Sequence, residues 1–311
     1  MKLSVSFCAV NGYLESGLSY PDALSAIRQS GFRYIDFDVK QAMADDPEPW
    51  GGRVRRYLED SGICAPQAHS PIFNPLLPEN RARWSTFENS LLFCKAAGVP
   101  QVVVHPGAID GNSRAEFFEN NIAFYRSLIP ACEQTGVGVL IENIGNPADP
   151  YFLASGADLA EMVDGVNHPL FTACWDVGHA NHFWSAESSQ YASLLALGSR
   201  LTALHVHDNC GYFPVGERHN RIDMHTFPYA SLYSNVNFDA VIKGLCDIGY
   251  QGTFNFEVIV GNPRRYVSPF LINGREENRL RMLPLEVFVH LYRALYETGK
   301  YMLSAYGVFE E

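Results

Sequence analysis

Ionisable residues recur at the ends of short apolar runs throughout this chain. They stand in Ala68-His69-Ser70, Val104-His105-Pro106-Gly107, Ile141-Glu142-Asn143, Trp175-Asp176-Val177-Gly178-His179, Leu204-His205-Val206-His207-Asp208-Asn209 and Phe256-Glu257-Val258. A strand buried on both faces stays apolar to its end, so a polar residue closing run after run needs a common cause. If the ends converge, Glu142, Asp176 and Glu257 share one partly dry pocket, where carboxylates repel and raise one another's pKa unless a cation holds them. Imidazoles and carboxylates in this mixture are the donor set of a divalent transition ion such as zinc, manganese or cobalt. His69, His105, Glu142, Asp176, His205 and Glu257 are therefore candidate ligands around one cavity. Asp176 and His179, three positions apart, face the same mouth but do not easily share an ion. Asp223-Met224-His225 is a polar loop when read alone, yet it puts two ligand types on one side of an extended segment. With His179 it makes a candidate second metal site.

The elements that must position these residues are legible. Strands are predicted over Leu3–Val10, Tyr34–Val39, Ile63–His69, Gln101–His105, Val137–Ile144, Phe171–Val177, Leu201–His207 and Thr253–Val260, near-continuous apolar runs suited to a parallel sheet covered on both sides. Helices are predicted between them: one opening at Ser19-Tyr20-Pro21-Asp22, then Gly52–Asp60, Arg81–Ala97, Ala115–Gln134, Ala157–Val163, Ser188–Leu197, Phe238–Ile248 and Leu285–Ser304. Gly62, Gly98, Gly136 and Gly249 fit the residue just past a helix end. The steps His69–His105, His105–Glu142, Glu142–Asp176 and Asp176–His205 are 36, 37, 34 and 29 residues, and only the next, 52 to Glu257, is enlarged. Eight strand–helix units at this period predict an α/β protein, a single (β/α)8 barrel over residues 1–311. An open doubly wound sheet is the competing reading, but no G-x-G-x-x-G follows a strand. Loops 209–237 and 261–284 exceed ordinary connections and are expected over the C-terminal mouth. The second carries Arg264, Arg265, Arg275, Arg279 and Arg281 against Glu276 and Glu277. It reads equally as a solvated surface excursion, of the kind that can serve a homo-oligomer contact, or as a lid whose arginines meet a polyhydroxyl or anionic ligand.

Composition narrows the partners. Of 311 residues, 47% are hydrophobic and 18% charged, and 23 basic against 34 acidic residues leave a net charge of −11. That balance counts against nucleic acid and against an anionic membrane surface. No apolar run is long enough to span a bilayer, and no signal peptide is read at the N-terminus. Seven cysteines without a C-x-x-C pair, most inside apolar segments, read as buried free thiols, with the cytoplasm as the expected compartment.

The residues resemble the xylose-isomerase-like TIM barrel superfamily, which holds sugar isomerases, epimerases and endonuclease IV. The resemblance spans strands two to eight and rests on H-P-G after strand four, E-N ending strand five, D-x-G-H after strand six, H-x-H-D-N after strand seven, and the glutamate closing strand eight. It implies that Glu142, Asp176, His205 and Glu257 are the four ligands of an epimerase-type metal site, His205 being chosen over His207 as the first histidine of H-x-x-D. The endonuclease IV pattern adds His69 and His105 with Glu142 for one ion, and His179, Asp223 and His225 for another, giving one to three ions, zinc or manganese foremost. By the same resemblance the expected activity is isomerisation or epimerisation of a small sugar or sugar derivative. Glu142 and Glu257 then serve as base and acid at a hydroxy-carbonyl carbon. A multi-zinc phosphoesterase is the alternative, opposed by the acidic Asp45-Asp46-Pro47-Glu48 loop. A lyase using the same enolate chemistry, and a barrel that binds sugar without turnover, are further readings. His207, Asp208 and Asn209 are expected to orient ligands, a satisfied turn being the other reading. Asp36 and Asp38 are candidates for substrate hydroxyls or equally for structural turn carboxylates, and Trp175 with His182, Phe183 and Trp184 for an aromatic wall against a sugar face, core packing being the more common use.

Overall fold

The predicted runs become eight parallel strands in a computed structural model that describes residues 1–144, 151–182, 189–211, 213–215, 218–220, 224–230, 234–259, 270–277 and 282–311. The strands are β1 (Leu3–Ser6), β2 (Tyr34–Asp38), β3 (Cys64–His69), β4 (Gln101–Val104), β5 (Gly138–Glu142), β6 (Phe171–Asp176), β7 (Leu201–His205) and β8 (Phe254–Phe256). Their order is β8-β1-β2-β3-β4-β5-β6-β7. The remaining seam closes through Val206, whose N–H donates to Asn255 O at 2.8 Å and whose carbonyl accepts from Glu257 N at 2.9 Å. The fold is a TIM barrel.

Side chains alternate across each strand, so every second residue enters the lumen. Val103, Leu140, Cys174 and Ala203 form a small apolar cluster apart from the main core. Two residues further along the same face come His105, Glu142, Asp176 and His205, so four candidate ligands sit one layer above that plug. The other half of the lumen is polar: Ser4, Ser6, Asp36, Gln67 and Asn255 are all buried. Intervening residues such as Val102, Val139, Ile141 and Trp175 belong to the large core between strands and helices.

Besides two short helices, Asn11–Glu15 and Gln41–Ala44, the helices among the described residues are α1 (Tyr20–Gln29), α2 (Pro47–Ser61), α3 (Ser85–Ala97), α4 (Arg114–Ser127), α5 (Ile129–Thr135), α6 (Gly156–Val166), α7 (Val177–Asn181), α8 (Gln190–Leu197), α9 (Phe238–Asp247) and α10 (Leu285–Ala305). Ser19 caps α1 by accepting from Asp22 N, and Ser113 and Ser155 form reciprocal caps with Glu116 and Asp158. The four glycines expected past helix ends all have positive φ. The predicted helix Ala115–Gln134 is two, α4 and α5, with Pro130 in the first turn of the second, where its missing N–H costs no bond. The helix predicted from Gly52 begins at Pro47, and the one predicted from Arg81 begins at Ser85 after a 3-10 turn.

Most strands stop short of their predicted ends. Phe7–Val10 forms a 3-10 turn, and Asp176 leaves β6 by capping α7, accepting from His179 N at 2.6 Å. Three cysteines are buried, Cys64 is exposed and the others are intermediate, so the expectation that most are buried is corrected; all are free thiols. No described helix is long and apolar enough to cross a membrane. After β7, Asp208 and Thr226 exchange backbone hydrogen bonds, and Ile259 N donates to His225 O. These bonds fold the loop back over β8. In the loop after β8, Leu271–Ile272 pairs antiparallel with Arg275–Glu276 around Asn273-Gly274, both at positive φ as a two-residue hairpin requires. Arg275, Glu276 and Glu277 are exposed there, while Arg264, Arg265, Arg279 and Arg281 lie outside the described residues.

Candidate metal centre

Barrel closure brings Glu142, Asp176, His205 and Glu257 together, with one ligand-type atom of each within 4.8 Å of the others. His205 is the hinge of the group. Its Nδ1 lies 2.9 Å from Glu142 Oε1, 3.2 Å from Glu257 Oε2 and 3.9 Å from Asp176 Oδ2. On its other side, Nε2 meets Asp36 Oδ2 at 2.8 Å, and Gln67 Nε2 donates to the same oxygen at 3.0 Å. A carboxylate holding the far ring nitrogen fixes both tautomer and ring plane, leaving Nδ1 toward the cluster. Asp36 is therefore buried behind His205, placed to orient its ring. Asp38 instead pairs with Lys40 and accepts from Asn11 Nδ2 at 2.7 Å.

A second group joins Glu142 from the β3–β4 side. His69 Nε2 and His105 Nε2 stand 2.9 Å apart, and His105 Nε2 is 2.8 Å from Glu142 Oε2. That oxygen nevertheless has no hydrogen bond of proper geometry, and neither does Asp176 Oδ2. Buried carboxylate oxygens without bonds are costly, and atoms this close but aimed past one another point at a shared centre. The imidazoles agree. Nδ1 of His69, His179 and His225 faces the carbonyls of Ser70, Asn143 and Glu257 at 2.8, 2.9 and 2.9 Å. Each carbonyl takes the Nδ1–H, which makes Nε2 the acceptor nitrogen. These donors fit a divalent ion.

Charge is balanced accordingly. Burial opposes ionisation of Glu142, yet His205 and His105 hold it well below the usual carboxylate range. Burial also opposes charge on His69, but Glu142 raises it to about 9, whereas burial prevails at His105 and lowers it. The carboxylates draw protons onto the imidazoles where a cation would serve the same purpose.

The expected ligands separate as follows. His69, His105, Glu142, Asp176, His179, His205, His225 and Glu257 all reach the mouth; Asp223 lies outside the described residues. Asp176 and His179, expected not to share an ion, fall in one group with His207. Trp175 is buried facing the helices and donates to Gln190 Oε1 at 2.9 Å, so it lines no sugar face. Position predicts this, because Trp175 precedes an inward residue by one. His182 is buried, while Phe183 and Trp184 lie outside the described residues. Asp208 accepts from Asn209, Tyr229 and Val236 backbone N–H groups, and Asn209 Nδ2 donates to Gly178 O, so both brace the loops. Sequence reading passed over Gln67 and Asn143. Asn143 clasps the Asp176 backbone in both directions, at 2.9 and 2.6 Å. A glutamine two before His69 on the same strand face was the available signal for the first.

The chain belongs to the xylose isomerase-like TIM barrel family, whose description matches residues 24–274. An uncharacterised protein, MJ1311, of Methanocaldococcus jannaschii is 28% identical over 160 residues, about half of each chain. Among solved structures, D-psicose 3-epimerase with D-tagatose from Clostridium cellulolyticum H10 superposes with a TM-score of 0.71 at 16% identity, covering 97% of this chain and 99% of that one. The zinc-bound IOLI protein superposes with a TM-score of 0.66 at 18% identity, covering 97% and 96%. At these identities the likeness concerns the fold.

Proposed function

We propose that the chain is a divalent-metal-dependent isomerase or epimerase of a small sugar or sugar derivative. The observation that carries this is the convergence of Glu142, Asp176, His205 and Glu257, with buried carboxylate oxygens left without hydrogen bonds. Zinc or manganese suits the donors, and up to three ions suit the neighbouring groups. A divalent ion supplies positive charge that stabilises negative charge developing on adjacent substrate oxygens. Glu142 and Glu257 enter from β5 and from the end of β8, flanking His205 Nδ1. Two carboxylates so placed act as base and acid on a carbon held between them: one takes its proton and the other returns one to the opposite side. Glu257 is 15% exposed against 1% for Glu142, which makes Glu257 the group nearer incoming substrate. Support for the substrate class comes from the epimerase structures that share the fold, one of them solved with D-tagatose.

The test is incorporation of solvent deuterium into the C–H bonds of a panel of ketoses and inososes. Exchange that requires added metal and stops with chelator is expected. A second reading, an endonuclease IV-like phosphoesterase, is favoured by the His69–His105–Glu142 and His207–His225–Glu257 groups beyond the central four. A net charge of −11 opposes a DNA substrate. Incision of abasic-site DNA with no exchange on any sugar decides for that reading.

A further inference from the structure

We propose that Asp38, Lys40 and Asn11 form the subsite that grips the part of the substrate remote from the reacting carbon, and that this part is an uncharged polyol rather than a phosphate. The proposal rests on the sugar isomerase or epimerase reading and narrows its substrate class. Asp38 closes β2 two residues after Asp36, so its side chain enters the lumen one layer nearer the mouth. Its register partner on β3 is His69, whose carbonyl accepts from Val39 N at 2.9 Å. Asp38 thus stands beside the metal centre, outside the candidate ligand groups of the described residues. Cys8, two residues after the inward Ser6, links the two places. Desolvation first, then the charges of Glu257, Asp38 and Asp36, push its thiol well above the usual range, which puts Cys8 among those carboxylates.

The polar atoms of the three residues are only partly used. Asn11 Nδ2 donates to Asp38 Oδ2 at 2.7 Å and Lys40 Nζ pairs with the same oxygen, so Oδ1 takes neither bond. Asn11 Oδ1 is buried with no hydrogen-bond partner, a cost that an arriving hydroxyl would remove. Lys40 spends one of its three N–H donors on Asp38, and its side chain is 38% exposed at the rim. Open acceptors beside open donors match hydroxyl groups, each of which gives and takes a hydrogen bond. A pair that served only to hold the turn after β2 would add little stability on so open a rim, and it would not require the buried acceptor of Asn11. Charge then selects the ligand. Asp38 and Lys40 cancel, so a phosphate in this place would face a carboxylate with the ammonium already engaged.

The experiment is steady-state exchange of solvent deuterium by the metal-loaded protein. The probes are the ketose or inosose that the wild type exchanges fastest, its monophosphate, and its deoxy analogue, the last two altered at the position farthest from the reacting carbon. Asp38→Ala and Lys40→Met are each expected to raise KM for the free sugar by about tenfold or more, with the loss carried by KM rather than kcat. In the wild type, the monophosphate and the deoxy analogue should each show a kcat/KM lower by about tenfold or more. KM within about twofold of the wild type in either variant, or a monophosphate preferred to the free sugar, overturns the subsite while exchange by the wild type leaves the isomerase reading standing. A wild type that exchanges no sugar overturns both. If the variants fail to fold, the wild type decides alone: a deoxy analogue and a monophosphate used as well as the free sugar refute the subsite.

Discussion

Asp36→Asn isolates the claim that His205 ligates through Nδ1 because Asp36 holds Nε2. The amide has nearly the same shape, and its oxygen can still accept from both His205 and Gln67, so the substitution removes charge rather than volume. Unit charges 2.8 Å apart interact by about 6 kcal/mol at an effective dielectric of about 20. That figure bounds the effect from above, since a ligating imidazole is neutral. Loss of an outer partner to a ligating histidine typically weakens metal binding by about 10–100-fold, or about 1.4–2.8 kcal/mol. The assay is zinc competition against a fluorescent chelator, with circular dichroism as the control for folding. Affinity within about twofold of the wild type, against the tenfold or more expected of an outer partner, would refute the argument, because the buried Asp36–His205 bond would then be idle in positioning the ring.

Two further outcomes are expected. Glu257→Gln should lower the rate of substrate C–H exchange by about 10²–10⁴-fold, the contribution of a positioned acid or base; exchange at the wild-type rate would remove Glu257 from proton transfer. Gly51→Ala would place a Cβ 2.6 Å from both Ala96 Cβ and Phe93 O where α2 crosses α3. It should cost about 1–3 kcal/mol of stability, read as a lower melting temperature with zinc content unchanged.

Much of this arrangement was legible before any coordinates. Ligand-type residues spaced at the repeat of a strand–helix unit can converge only if the strands close, and they do. Trp175, named among the aromatic candidates, stands one residue before Asp176 and faces the helices, as strand alternation requires. What stayed hidden depends on which strands become neighbours and on how rings are turned. Asp36 and Asp38 look interchangeable in sequence, yet only Asp36 lies against His205, 169 residues away. Likewise, nothing in H-x-H tells whether the second histidine braces a loop or enters the cavity. That is settled by Gly178 on α7, where a Cβ would fall 1.9 Å from His207 Cε1, and by the His225 ring brought over β8 by the loop. Predicted strand ends overran because residues past the last paired position keep their apolar character while the backbone already turns.

The two unlike halves of the barrel lumen set opposite tolerances for change. Beneath Glu142 and Asp176, Leu140 and Cys174 belong to a plug that is answerable mainly for its volume. Behind His205, Asp36 and Gln67 form a chain of directed bonds in which each atom has an appointed partner. Re-tailoring this mouth would have latitude on the β4–β7 wall beneath the carboxylates and almost none on the β2–β3 wall, since a misplaced group there reaches the His205 ring at once.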